Sequence, residues 1–141
     1  MNRTAKAAWT GDLKTGKGVI STESGVLKET QYSFVSRFEQ GIGTNPEELI
    51  AAAHAGCFSM ALSAELGGVG IKPEKIETTA AVTLEKGAQG FEITKVHLDV
   101  TVTSPGSDRA VLETAAGKAK ANCPISKVLN AAISMDAKYE S

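Results

Sequence analysis

Apolar and polar positions alternate in short runs at the start of the chain, then give way to one long, nearly uninterrupted apolar stretch. Ala5 to Thr10, Lys17 to Thr22 and Gln31 to Phe38 are short segments separated by turns at Gly11-Asp12, Thr15-Gly16 and Ser24-Gly25. This spacing predicts three strands. In the third, Tyr32, Phe34, Ser36 and Phe38 fall on one face, and Ser33, Val35 and Arg37 on the other.

A helix is predicted next. Thr44-Asn45-Pro46-Glu47-Glu48 supplies an Asn cap, a proline at the first helical position and acids in the first turn. It is expected to run to about Leu66 and to stop at Gly67-Gly68. A helix apolar nearly all round predicts an element surrounded by protein, and its many Ala and Gly residues let another helix approach closely. The stretch from Leu49 to Leu66 could be mistaken for a membrane span. It is Ala-rich, however, and it carries His54, Ser59, Ser63 and Glu65, whereas a span needs about 20 strongly apolar residues.

Lys75 to Leu84 and Phe91 to Thr103 read as a hairpin, with Ile93 and Val96 breaking the alternation as a bulge would. Pro105-Gly106 turns the chain into a second helix, from about Ser107 to Ala121, with Ala110, Val111, Thr114, Ala115 and Ala119 towards one side. A short third helix starts at Cys123-Pro124, and Ala132 to Tyr139 closes as a strand. The order β-β-β-α-β-β-α-α-β, with no internal repeat or linker, argues for an α+β fold. At 141 residues a single domain spanning 1–141 is expected.

Composition narrows the function classes. Hydrophobic residues make up 42% of the chain, charged residues 22%, and the net charge is -1. That is an ordinary soluble profile, without the basic footprint of a nucleic-acid or anionic-membrane binder. Met1 to Trp9 lacks the apolar core of a signal peptide, and two cysteines are too few for a disulfide scaffold. The reading is a cytoplasmic protein whose thiols are reactive or incidental.

Cys57 lies in the middle of the long helix. As a small buried residue it packs like any hydrophobe, and mid-helix it gains little from the dipole, so a thiolate there needs a nearby cation. Cys123, ahead of Pro124, sits at a predicted N-cap, where free N–H groups favour a thiolate. Arg37 is either a solvated charge or the cation for a thiolate. Glu47 is an ordinary partner for the helix dipole or an orienter of Arg37. His54, three residues before Cys57, shares its helix face. A Cys–His nucleophile pair is conceivable, but a satisfied core or interface histidine is the commoner outcome. His97 shares a strand face with Lys95 and Asp99 and reads as solvent-exposed. Two thiols and two histidines at these spacings form no recognised zinc pattern, so neither a metal nor another cofactor is expected. Gly16-Lys17-Gly18 lacks the strand–loop–helix context of a phosphate loop.

Three segments together carry a resemblance. Thr44-Asn45-Pro46-Glu47-Glu48-Leu49, Ala52-Ala53-His54-Ala55-Gly56-Cys57-Phe58 and Cys123-Pro124-Ile125-Ser126 resemble the OsmC/Ohr family. Trp9, Thr22-Glu23-Ser24-Gly25 and Phe91-Glu92-Ile93-Thr94-Lys95 extend the likeness over nearly the whole chain. The resemblance implies antiparallel β-sheets wrapped around long central helices in an intertwined homodimer. It implies a cysteine-based peroxidase for organic hydroperoxides, serving oxidative and osmotic stress defence. Cys57 would be peroxidatic and Cys123 resolving, with Arg37 and Glu47 beside them. The implied reductant is a dithiol, such as a lipoyl-bearing protein.

One inference comes from helix geometry. Glu47 and Cys57 are ten residues apart, about 15 Å along a straight helix. If both line one site, Glu47 arrives from the partner subunit. Two other classes stay in view: a non-catalytic dimeric binding or structural protein with core cysteines, and a Cys57–His54 hydrolase. Peroxide-driven formation of one intramolecular disulfide separates them.

Overall fold

The computed structural model describes residues 1–141. The chain forms two compact units, Met1–Leu49 and Ile50–Ser141.

The first unit opens with an antiparallel sheet in the order β1 (Ala5–Thr10), β2 (Lys17–Thr22), β3 (Thr30–Tyr32). Trp9 and Tyr32 flank β2 at Gly18 and meet with ring centroids 5.4 Å apart. A Cβ at Gly18 would lie 2.6 Å from the Trp9 ring, so only glycine lets the two aromatics close over the strand. No hydrophobic side chain of this unit is fully buried, and every residue of β1 is exposed.

The third predicted strand is a correction. β3 stops at Tyr32, and α1 (Phe34–Phe38) follows as a single helical turn. Ser33 is extended at φ -159° and its hydroxyl accepts from the Ser36 N–H, while the Ser36 hydroxyl accepts from the Ser33 N–H. This reciprocal capping box starts a helix where aromatic alternation suggested a strand. Phe34 and Phe38 share a face in either conformation, because four residues are two strand repeats and about one helical turn. Their rings sit 4.9 Å apart.

α2 (Pro46–Gly68) begins in the first unit and continues through the second. Its start is as predicted: the Asn45 carboxamide oxygen accepts from the Glu48 N–H at 2.8 Å, and Pro46 leads the helix. Its end falls slightly later than expected. Gly70, at φ +78°, is the left-handed residue, with Ile71 N–H bonded to Leu66 C=O and Gly70 N–H to Gly67 C=O. That is a Schellman stop, which satisfies carbonyls the helix would leave unpaired. By length and composition α2 is the one helix that meets the requirements for crossing a membrane.

The second unit is built on a sheet in the order β4 (Lys75–Gly87), β5 (Gly90–Thr103), β6 (Ala132–Glu140). β4 and β5 form the expected hairpin. The register slips where Thr83 faces Lys95 and Leu84 faces Ile93, leaving Thr94 as the extra residue of a bulge. β6 pairs parallel to β5, so the sheets are antiparallel except at this edge. The parallel return needs a crossover, supplied by α3 (Arg109–Asn122) and α4 (Pro124–Val128).

Val96, Leu98, Val100 and Val102 alternate inward from β5 and pack in one cluster with Phe58, Leu62 and Leu66 of α2. α3 contributes Leu112, Ala115, Ala116 and Ala119, so the face predicted from Ala110 and Thr114 is rotated: those two are exposed. Each fully buried Phe or Leu stabilises this core by roughly 1.5–3 kcal/mol through removal of apolar surface from water. α2 itself buries only the stripe His54, Phe58, Leu62 and Leu66, one residue per turn. Its opposite side is uncovered in the single chain, with Met60 77% exposed among Ala52, Ala53, Gly56 and Ala64. The helix is therefore not surrounded by its own chain, as its composition predicts. Small residues keep it apolar on sides that this chain does not cover.

Candidate active site

The sequence singles out four residues, and the structure joins them as two pairs, one in each unit. The first is Arg37 with Glu47. Arg37 is not on a strand but in the last turn of α1. The Asn45 carboxamide donates to Ser36 C=O at 3.1 Å, and the Ser36 hydroxyl donates to Thr44 C=O at 2.8 Å. These bonds tie α1 to the start of α2. The Arg37 guanidinium then grips the Glu47 carboxylate, with Nη2 2.7 Å from Oε1 and Nε 3.2 Å from each oxygen. The fork restrains the orientation of both groups. Glu48 is engaged elsewhere, accepting from the Thr44 hydroxyl at 2.8 Å. The Arg37 side chain is about one-third exposed, so the pair contributes little to stability and its value lies in placement. Arg37 also stacks 5.1 Å over the Phe38 ring. It lines a mostly apolar cleft of about 270 Å³ with Trp9, Leu13, Tyr32, Phe34 and Phe38.

The second pair is Cys57 with Cys123. Cys57 is half-buried on α2, and Cys123 is fully buried where α3 ends and α4 begins. Cys123 is held through its backbone on both sides: its N–H donates to Ala119 C=O at 2.9 Å, and its C=O accepts from Lys127 N–H at 3.1 Å. Its sulfur lies 2.9 Å from the Cys57 sulfur. A disulfide is about 2.05 Å long, so closing this gap takes less than about 1 Å of motion.

Burial pushes the Cys57 thiol up, and the hydrogen bond shared with Cys123 pushes the same way, while the Ile125 N–H opposes both. The Ile125 contact corrects the expected division of labour. Cys123 is the N-cap residue of α4 but makes no side-chain capping bond. The free N–H at the start of α4 is directed at Cys57 instead. No single-sequence signal reveals this, because it depends on how α4 lies against α2.

His54 is fully buried on the same side of α2 as Cys57, and its Nε2 is 2.8 Å from the Ser126 hydroxyl. Burial lowers its basicity. Its Nδ1 is buried without a partner. Ser126, one turn beyond Cys123, was visible only as part of a motif, with no role of its own. His97 is partly exposed rather than free. Its Nε2 lies 3.1 Å from Asp136 and 3.5 Å from Asp99, and its Nδ1 lies 2.6 Å from the Ser134 hydroxyl. Asp136 and Ser134 arrive through the parallel pairing of β6, which the sequence pattern does not disclose. Of the side chains present, His97, Asp99 and Asp136 are the group whose ligand atoms converge enough to hold a metal ion.

Adjacent thiols with a helix N–H on one of them define a redox site, and the comparisons agree on the class. Escherichia coli strain K12 has a peroxiredoxin OsmC that is 52% identical over all 141 residues, 99% of that protein's length. The crystal structure of the organic hydroperoxide resistance protein OhrB of Bacillus subtilis superposes with a TM-score of 0.73 at 31% identity, covering 96% of this chain and 98% of that one. An organic hydroperoxide resistance protein from Elizabethkingia anophelis matches with a TM-score of 0.77 at 25% identity, covering 99% and 98%. The model of the family described as OsmC-like protein matches residues 39–138. This chain belongs to the OsmC-like protein family.

Proposed function

We propose that this protein is a thiol-dependent peroxidase that reduces organic hydroperoxides to alcohols. The observation that carries the proposal is the approach of the Cys57 and Cys123 sulfurs to 2.9 Å. The names of the relatives, a peroxiredoxin and organic hydroperoxide resistance proteins, support the same reading.

Cys57 attacks the outer peroxide oxygen as a thiolate. The O–O bond breaks, an alcohol leaves with a proton, and Cys57 becomes a sulfenic acid. The Cys123 thiol displaces the sulfenic oxygen as water, giving the Cys57–Cys123 disulfide. A dithiol donor restores both thiols by exchange, itself ending as a disulfide. A lipoyl-bearing protein fits that chemistry. Burial raises Cys57, so the thiolate needs a cation as well as the Ile125 N–H, and Arg37 is the group we assign. Glu47 fixes the guanidinium through the bidentate pair. The aromatic cleft beside Arg37 favours alkyl or aryl peroxides over hydrogen peroxide.

We further propose that the working unit is a homodimer in which residues 1–141 of each chain act as one domain. Two observations support this. The first unit buries no hydrophobic side chain, and a three-stranded sheet needs an apolar face covered to be stable. The uncovered side of α2 is apolar and small, suited to close helix packing. Glu47 and Cys57 stand about 15 Å apart along α2, so the Arg37–Glu47 pair of one subunit serves the thiols of the other. The reading places the protein in the cytoplasm, in defence against oxidative and osmotic stress. The hydrolase alternative is disfavoured because the His54 Nε2 is committed to Ser126.

The direct test is consumption of an alkyl hydroperoxide with a dithiol reductant, set against hydrogen peroxide. The alkyl substrate should turn over faster, and Cys57→Ser should not turn over. Full activity in Cys57→Ser ends the proposal.

A further inference from the structure

The mechanism above leaves unused the most buried ionisable side chain near the thiols. His54 is inaccessible to solvent and sits on the face of α2 that carries Cys57. Its one printed partner is the Ser126 hydroxyl, 2.8 Å away. Ser126 belongs to α4, the five-residue turn that Cys123 leads.

α4 is weakly anchored otherwise. None of its residues is buried, and it lacks a side-chain cap. Ile125 packs partly against the core, and His54–Ser126 is the single side-chain hydrogen bond from α4 to another element. Yet α4 has two demanding tasks: its lead residue must keep Cys123 at 2.9 Å from Cys57, and its Ile125 N–H must reach the Cys57 sulfur. A helix this short cannot hold itself, since single helical turns are unstable without tertiary support.

We infer that His54 is the positioning residue of the resolving step: through Ser126 it holds α4 so that Cys123 closes on oxidised Cys57. The inference rests on the peroxidase reading above. Once Cys57 is a sulfenic acid, two reactions compete. Attack by the Cys123 thiol gives the disulfide and one water. Attack by the sulfenic acid on a second hydroperoxide gives the Cys57 sulfinic acid and one alcohol, which no thiol reverses. Holding Cys123 in reach is what decides between them, by the effective concentration of an oriented intramolecular group. Losing the bond lets α4 sample other positions, slows closure and diverts Cys57 to the sulfinic acid. His54 itself touches neither the peroxide nor either sulfur in this scheme.

The test uses the full-length protein, treated with graded tert-butyl hydroperoxide in the presence of a dithiol. Intact mass spectrometry reads the ratio of sulfinic acid to disulfide. Ser126→Ala removes only a hydroxyl and serves as the mild variant; His54→Ala is the severe one; His54→Gln retains an amide nitrogen to reach Ser126. A thermal melt accompanies each. The sulfinic fraction per turnover should rise about 3- to 10-fold in Ser126→Ala and His54→Ala, the range expected for one hydrogen bond, and return towards wild type in His54→Gln. A wild-type ratio in Ser126→Ala overturns the inference, even if His54→Ala is impaired, because His54 would then act by packing alone. Failure of Gln to rescue overturns it likewise. A wild-type protein that consumes no hydroperoxide instead overturns the peroxidase reading beneath it.

Discussion

Acid should destabilise this protein through His54 in a window that can be worked out in advance. The imidazole is fully buried, its Nε2 bonded to Ser126 and its Nδ1 without an acceptor, so a second ring proton has nothing to receive it. Burial therefore holds its pKa below the ordinary value of 6.5. The unfolded chain takes up the proton near that ordinary value, and the folded chain only at lower pH. Between the two, the unfolded state binds more protons, so stability is full above pH 6.5 and falls as the pH falls towards the folded value. One proton gives a slope of at most about 1.4 kcal/mol per pH unit. Urea unfolding of the reduced protein, at fixed concentration, over about pH 7.5 to about 5 measures it. Carboxylates titrate alike in wild type and His54→Gln, so the difference between the two curves isolates the histidine. The wild-type curve should drop relative to His54→Gln below pH 6.5. Parallel curves, or a wild type that gains relative stability in acid, would refute the claim that the buried ring is neutral.

Three further outcomes follow from the same contacts. Leu62→Ala, in the fully buried stripe of α2, should cost about 2.7–5 kcal/mol in urea unfolding and leave the spacing of the two sulfurs unchanged. Arg37→Gln should slow loss of the first Cys57 thiol at neutral pH by about tenfold or more, with the rate recovering at higher pH, because the lost cation raises a thiol that burial already pushes up. A fast Arg37→Gln with an unshifted pH–rate profile would remove the arginine from the site. Met60→Asp places a charge on the uncovered side of α2 and should shift the protein to monomer in sedimentation, with loss of peroxide turnover. An active monomer would sink the shared-site proposal.

Much of this structure is legible in the chain. β1 and β2 begin and end where alternation and turn residues place them, because each strand is closed by local chemistry. The start of α2 is legible for the same reason: Asn45, Pro46 and the acids act within one turn. What fails depends on the third dimension. Phe34 and Phe38 satisfy both repeats, and only the Ser33–Ser36 capping box decides for a helix. The buried side of α3 is selected by Leu112 meeting the sheet, and the Ala-rich sequence around it carries almost no directional signal.

The site divides the same way. Arg37, Glu47, Cys57 and Cys123 are visible as residue types in a motif, and their pairing is read only in the fold. Hardest to foresee is the role of α4. A Cys at a predicted helix start looks like the beneficiary of that helix. The structure directs the Ile125 N–H across to Cys57 and leaves Cys123 held by backbone bonds alone. The His54–Ser126 bond spans 72 positions of sequence, so no local pattern encodes it.

One measurement bears most directly on the account. The reduced protein is given one equivalent of an alkyl hydroperoxide without added reductant, and its thiols and intact mass are followed together. The account predicts loss of both thiols, a mass lower by two hydrogens, and a single disulfide joining Cys57 to Cys123 within one chain. Two thiols still present after the peroxide is added, or a Cys57 sulfinic acid with Cys123 left free, would contradict it.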